Sequence, residues 1–221
     1  MTQHKVPTLT ERLQEIVELS YRILCNKVAA GSIQIPNEAS MQMQLGTILN
    51  WVGKLYEYTP DEFFAIQLEV DQDIEGTEKT PSGNARCDIQ LRFTSSMESV
   101  CAAIEMKRFK KSCISKNGKV SSAATTDNRY SIVLDLKNLE AYKANDAERL
   151  CYEIVYSDDR NYARNANVKI DISDGAHISK AKDYKTDITL AGTYLAHWDD
   201  YSSEDDIHHF MMIDLQNDKV N

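Results

Sequence analysis

Val100-Cys101-Ala102-Ala103-Ile104-Glu105-Met106-Lys107 reads as an apolar strand whose last residues turn polar on one side. Side chains alternate along a strand, so Glu105 and Lys107 project together while Met106 turns inward with Ile104. Upstream, Cys87-Asp88-Ile89-Gln90-Leu91-Arg92-Phe93 alternates with a period of two. Its apolar face is Cys87, Ile89, Leu91 and Phe93, and its polar face is Asp88, Gln90 and Arg92. Residues 94–99 turn the chain between these two strands, so Asp88 can stand beside Glu105 and Lys107. Oxygen ligands from Asp88, Glu105 and the Met106 carbonyl suit Mg²⁺ or Mn²⁺. Lys107 would orient a bound water or steady charge developing on a phosphate.

The flanking sequence supplies helices before and after these strands. Thr8 and Glu11 have capping-box spacing, and Leu13, Ile16, Val17, Leu19, Ile23 and Leu24 follow at helical intervals. Asn37-Glu38 opens a second helix carrying Met41, Leu45, Ile48, Leu49, Val52 and Leu55. Thr59 to Glu62 forms a short turn, and Phe63 to Ile74 reads as a strand with Phe64, Ile66, Leu68 and Val70 alternating. Residues 75–84 carry turn chemistry. Residues 112–128 read as a polar loop, Tyr130 to Tyr142 as a helix and Leu150 to Tyr156 as a buried strand. Beyond that, Val168 to Ile172 reads as a strand, parts of 174–196 as helix or loop, and His209 to Leu215 as a closing strand. This order predicts one α/β domain over residues 1–221, a mixed central β-sheet flanked by helices.

Composition agrees with a globular chain: 42% of the 221 residues are apolar and 27% charged. No apolar run approaches a membrane span and no signal-peptide core stands at the start, so a cytoplasmic protein is expected. The five cysteines form no Cys-x-x-Cys pair and read as free thiols. The net charge of −9 argues at first against a nucleic-acid partner, but the charge is unevenly spread. Residues 105–129 hold seven basic residues against two acids, while residues 183–218 hold nine acids against Lys185. Lys110, Lys111, Lys116, Lys119 and Arg129 are therefore the candidate contacts to DNA phosphates. The plainer reading is a solvated loop.

An acid-x-Lys triplet is common by chance, and this chain has three. Asp135-x-Lys137 falls within a predicted helix, where residues two apart do not face each other. Asp183-x-Lys185 lies in a polar segment. Only Glu105-x-Lys107 combines a strand, an apolar lead-in and a strand-borne Asp upstream; alone, it would read as a surface ion pair. Asp88, Glu105-Met106-Lys107 and the helix after them resemble the PD-(D/E)XK nuclease superfamily, the restriction-endonuclease-like fold. The resemblance covers about residues 37–156. It implies a Mg²⁺-dependent phosphodiesterase acting on DNA, less often RNA, with Asp88 and Glu105 as metal ligands and Lys107 as the catalytic lysine. The superfamily's Pro-Asp is here Cys87-Asp88, a departure; the literal Pro60-Asp61 is separated from Glu105 by a whole strand. Many members carry a glutamate on the helix before the sheet, which maps to Glu38, although an acid in a first helical turn is also favoured by the dipole. Glu69 is a weaker alternative, and Gln42 and Gln44 are either polar neighbours of the site or solvated.

The expectation is thus a Mg²⁺-dependent deoxyribonuclease resembling a homodimeric type II restriction endonuclease or a defence nuclease. The rival is a non-catalytic protein on the same scaffold, binding a protein or a nucleic acid, which the acidic residues 183–218 favour. His208-His209 beside Glu204-Asp205-Asp206 reads as a solvated turn before a strand. The spread tyrosines read as packing residues.

Overall fold

The computed structural model describes residues 5–72, 85–114, 120–122, 125–164, 167–182, 186–202 and 206–220. Helix α1 (Leu9–Ala29) starts on the capping box read from the sequence: Glu11 N donates to Thr8 Oγ1 and Thr8 N to the Glu11 carboxylate. Helix α2 (Glu38–Leu55) is capped by Asn37, whose side chain accepts from Ser40 N at 2.8 Å. Strands β1 (Phe63–Gln72), β2 (Ala85–Thr94) and β3 (Ser99–Phe109) form an antiparallel meander. A small hairpin, β4 (Ser112–Ile114) with β5 (Val120–Ser122), precedes helix α3 (Thr125–Asn145). This helix returns the chain to β6 (Leu150–Ser157), which lies parallel to β3. After α4 (Asn161–Arg164), β7 (His177–Ala181) and β8 (Ile188–Leu195) pair with each other. Finally β9 (Trp198–Ser202) and β10 (Ile207–Asp214) extend the main sheet.

The main sheet runs β1-β2-β3-β6-β10-β9, so the mixed sheet flanked by helices is as expected. One face packs on α1 and α2 through Ile89, Leu91, Phe93, Ile104, Met106, Tyr152 and Ile154. The other packs on α3 and the β7–β8 hairpin through Ala103, Cys151, Val155, Met211 and Ile213. Strand β6 is covered on both sides and every one of its residues is buried, the condition under which a strand reads as a near-continuous apolar run, broken here by Glu153.

Several expectations are corrected. Residues 112–128 are not one loop; they hold β4 and β5 as well as the start of α3. Val168–Ile172 is irregular chain, although Ile170 and Ile172 are buried against α3 and its neighbours. Among the described residues of 174–196 there is no helix but two strands. Ile188, Leu190 and Tyr194 alternate inward, a period of two that the small residues Ala191 and Gly192 obscure in the sequence. His208 and His209 are not a solvated turn. They lie inside β10, with His209 buried and bonded to Asp200. Cys87 leaves the face of Ile89, Leu91 and Phe93 and joins the core on the α3 side.

Among the described residues no helix is long and apolar enough to cross a membrane. Cys25, Cys87, Cys101 and Cys151 are free.

Candidate functional site

The behaviour of Cys87 marks where the sheet opens. Pairing of β2 with β3 runs from Thr94↔Ser99 to Ile89↔Ile104 and stops there. At the next position a side chain replaces the backbone ladder: Met106 N donates to Asp88 Oδ2 at 2.7 Å. On the other side of Asp88, the β1–β2 register passes from Leu68↔Ile89 to Val70↔Cys87 without pairing Glu69. Glu69 takes φ of 54°, a left-handed conformation uncommon for a residue other than glycine. The distortion on both sides turns Asp88 out of the ladder and toward β3.

Glu105 and Lys107 project from β3 toward α3, as alternation requires. Glu105 is buried, and Tyr142 of α3 donates its hydroxyl to Glu105 Oε1 at 3.1 Å. Lys107 Nζ lies 2.6 Å from Asp135 Oδ2 of α3 and 3.6 Å from Glu38 Oε1 at the start of α2, and it donates to the Met106 carbonyl at 3.1 Å. The parallel register sets Glu153 of β6 directly beside Glu105. Glu153 is fully buried, and neither of its carboxyl oxygens has a hydrogen-bond partner among the described residues. Gln42 of α2 donates its amide to the Asp88 carbonyl at 2.5 Å.

Five acids, Glu38, Asp88, Glu105, Asp135 and Glu153, thus surround one ammonium. Burial pushes the Asp88 carboxyl up to about 7; Lys107 opposes that rise while Asp135 and Glu38 add to it. Burial, reinforced by Asp135 and Asp88, holds Glu105 well above the usual carboxylate range. Glu153 is raised in the same way, by burial first and then by Asp135. Burial would pull the Lys107 ammonium down, but Asp135, Glu38, Glu153 and Asp88 outweigh it and keep it well above its ordinary value. Burial and mutual repulsion thus favour the protonated forms of Glu105 and Glu153, while the surrounding acids favour the charged form of Lys107.

The structure brings Asp88, Glu105, Lys107 and Glu38 to one place, with Met106 supplying backbone N–H and C=O there. The basic candidates behave differently. Arg129 is buried, donates to the Asn161 carbonyl at 3.0 Å and lies over the Tyr162 ring, so it does not face a surface ligand. Lys110 is half-buried and Lys111 exposed; Lys116 and Lys119 lie outside the described residues. Glu69 is exposed and paired with Arg86, Asp61 is held in a turn by Thr59 and Ser96, and Gln44 lines an apolar groove between α1 and α2.

Sequence reasoning missed Asp135 and Glu153. Asp135 was set aside because Lys137 does not face it, yet Asp135 and Tyr142 are seven residues apart and share a helix face. Glu153 carried a legible signal, a single acid within the apolar run Leu150 to Tyr156.

The donors fit a divalent cation in kind. They are hard oxygen ligands, they carry surplus negative charge when ionised, and Glu153 is an orphaned buried carboxyl beside them. Among the described residues, however, no three acids, histidines or cysteines form a ready coordination shell; Asp88 accepts from Met106 N and Glu105 from the Tyr142 hydroxyl.

The chain matches no protein-family model, no curated protein and no solved structure.

Proposed function

We propose that this protein is a metal-dependent phosphodiester hydrolase acting on DNA, built on a restriction-endonuclease-like core and working in the manner of a type II restriction endonuclease or a related defence nuclease. The observation that carries the reading is the convergence of Asp88, Glu105 and Lys107 where β2 and β3 separate, inside a ring of acids with one ammonium. Structural ion pairs rarely assemble this way. Crowding five acids around one ammonium, with Glu105, Asp135 and Glu153 buried, costs stability, and titration strained in this way is frequent at functional sites.

Asp88 and Glu105 would hold Mg²⁺ or Mn²⁺, with the Met106 carbonyl beside them; when bound, the ion would polarise a phosphate oxygen and lower the pKa of a water. A bound ion would favour the ionised forms of Glu105 and Glu153, against the effect of burial. Asp135 positions Lys107, the 2.6 Å ion pair aiming the ammonium at the mouth of the site. There it would meet charge developing on the phosphate. Glu38, partly open to solvent at the α2 N-terminus, is placed to accept a proton from an attacking water. Cutting both strands of a duplex calls for two such sites, and a homodimer would supply them.

The test is cleavage of double-stranded DNA, single-stranded DNA and RNA with Mg²⁺ and with EDTA, by wild type and by Asp88→Ala and Lys107→Ala. Metal-dependent cutting of DNA that both substitutions abolish is the expected result. Cutting of RNA alone would change the substrate class. No cutting of any substrate, with no proton release when Mg²⁺ is titrated in, would leave a non-catalytic scaffold, and cutting that survives both substitutions would put the chemistry elsewhere.

A further inference from the structure

The sheet face that carries Glu105, Lys107 and Glu153 bears a second polar row farther along β6. Ser157 of β6, His209 of β10 and Asp200 of β9 are register partners across three adjacent strands. Four residues of strand separate Ser157 from Glu153, about 13 Å at the usual rise. His209 is 2% exposed, and its Nδ1 lies 2.6 Å from Asp200 Oδ1. This contact ties the His209 ring of β10 to β9. His209 also borders a cleft of about 420 Å³, walled by Lys111, Arg160, Arg164 and the acids Asp158, Asp159 and Asp206.

The formal charges on this wall balance, but their engagements do not. Asp158 is taken up by Arg108 at 2.7 Å and by Lys111 N at 2.7 Å. Asp159 is buried and accepts from Asn161 N at 3.0 Å. The cations are less committed. Arg164 makes one long contact, 3.4 Å, to Asp200 Oδ2. The Lys111 ammonium and the Arg160 guanidinium have no partner among the described residues. A polar cleft whose acids are occupied and whose cations are available presents donors, and donors in a fork-and-point arrangement suit a phosphate.

We propose that this cleft binds a phosphate ester, gripped by the Lys111 ammonium and the Arg160 guanidinium at its wall. The cleft is large enough for a nucleotide. Its phosphate belongs either to a free nucleotide or to a nucleic-acid strand at a position away from the acid cluster. The proposal does not depend on the acid cluster being catalytic.

The experiment is calorimetric titration of the intact protein in EDTA with inorganic phosphate, with adenosine monophosphate, and with short oligonucleotides bearing a 5′-phosphate or a 5′-hydroxyl. Arg160→Ala and Lys111→Ala change exposed side chains and should each weaken binding roughly tenfold, the worth of one hydrogen bond to a charged group. Asp206→Asn removes the acid on the rim and should tighten it. Binding of phosphate and mononucleotide with these effects supports a free-nucleotide site. Binding of oligonucleotides alone with the same effects supports a strand-borne phosphate. The proposal is overturned if no probe binds, or if binding is unchanged in both Arg160→Ala and Lys111→Ala. Because EDTA removes divalent ions, failure here is separate from failure of the nuclease reading.

Discussion

Replacing Asp88 with asparagine should stabilise this protein at alkaline pH, and the size of the effect follows from burial. The Asp88 carboxyl is raised from an ordinary 3.8 to about 7, chiefly by burial. The folded state therefore binds this proton more tightly than the unfolded chain does. The stability contributed by protonated Asp88 is complete below about pH 4, is lost as pH rises toward 7, and is absent above that. Each tenfold in proton affinity is worth about 1.4 kcal/mol, so the loss amounts to about 4 kcal/mol. Asparagine copies the protonated form in charge, and its carbonyl can still accept from Met106 N. Urea denaturation of wild type and Asp88→Asn from pH 4 to pH 9 should give curves that coincide at the acid end and diverge above neutrality. The variant should then be the more stable by up to about 4 kcal/mol, or about 10 °C in Tm for a chain of this size. Asp88 also raises Glu105 and Glu153, so the difference between the curves reports Asp88 together with its repulsion of these two neighbours. Saturating Mg²⁺ at pH 8 should stabilise wild type more than the variant, because binding to the folded state alone is linked to stability. Equal stability at pH 8, or a variant less stable than wild type there, would refute the account of a strained carboxyl cluster.

Other expectations follow from particular contacts. Lys107→Ala should lower any metal-dependent DNA cleavage at least about a hundredfold, the scale for loss of one transition-state charge contact, while circular dichroism shows the fold retained. Arg12 is buried, bonds both Glu62 oxygens and the Tyr56 carbonyl, and lies over the Tyr58 and Phe93 rings. Arg12→Met should cost about 3–5 kcal/mol in urea denaturation because it strands Glu62, and Glu62→Gln added to it should recover part of the loss. Gly53→Ala would drive a Cβ into the Phe64 ring, costing about 1–3 kcal/mol by overpacking and lowering Tm accordingly.

How much of this was legible depended on whether a signal was local. The first two helices were readable from caps and periodicity, down to the Thr8–Glu11 box, because capping is settled by residues three apart. Strands β2, β3 and β6 were readable from alternation or from a mostly apolar run. The region from 168 to 202 was not, because it begins as irregular chain and its strands are short or carry small residues that weaken the alternation. Arg129 shows the same limit from the other side. Among its basic neighbours it read as a surface cation, but its position on α3 turns it under Tyr162, where packing decides its role.

The candidate site divides along the same line. The chain alone determined that Glu105 and Lys107 share a face and that Asp88 sits on a strand next to theirs, because backbone alternation enforces both. Only the tertiary structure decided that Asp135, Glu153 and Glu38 join them. A parallel pairing sets Glu153 beside Glu105, a helix crossing lays Asp135 on Lys107, and a break in the β2–β3 ladder turns Asp88 toward Met106. It also decided the protonation of the cluster, since a carboxyl rises from its ordinary value only when neighbours from distant parts of the chain exclude water and crowd it with like charge.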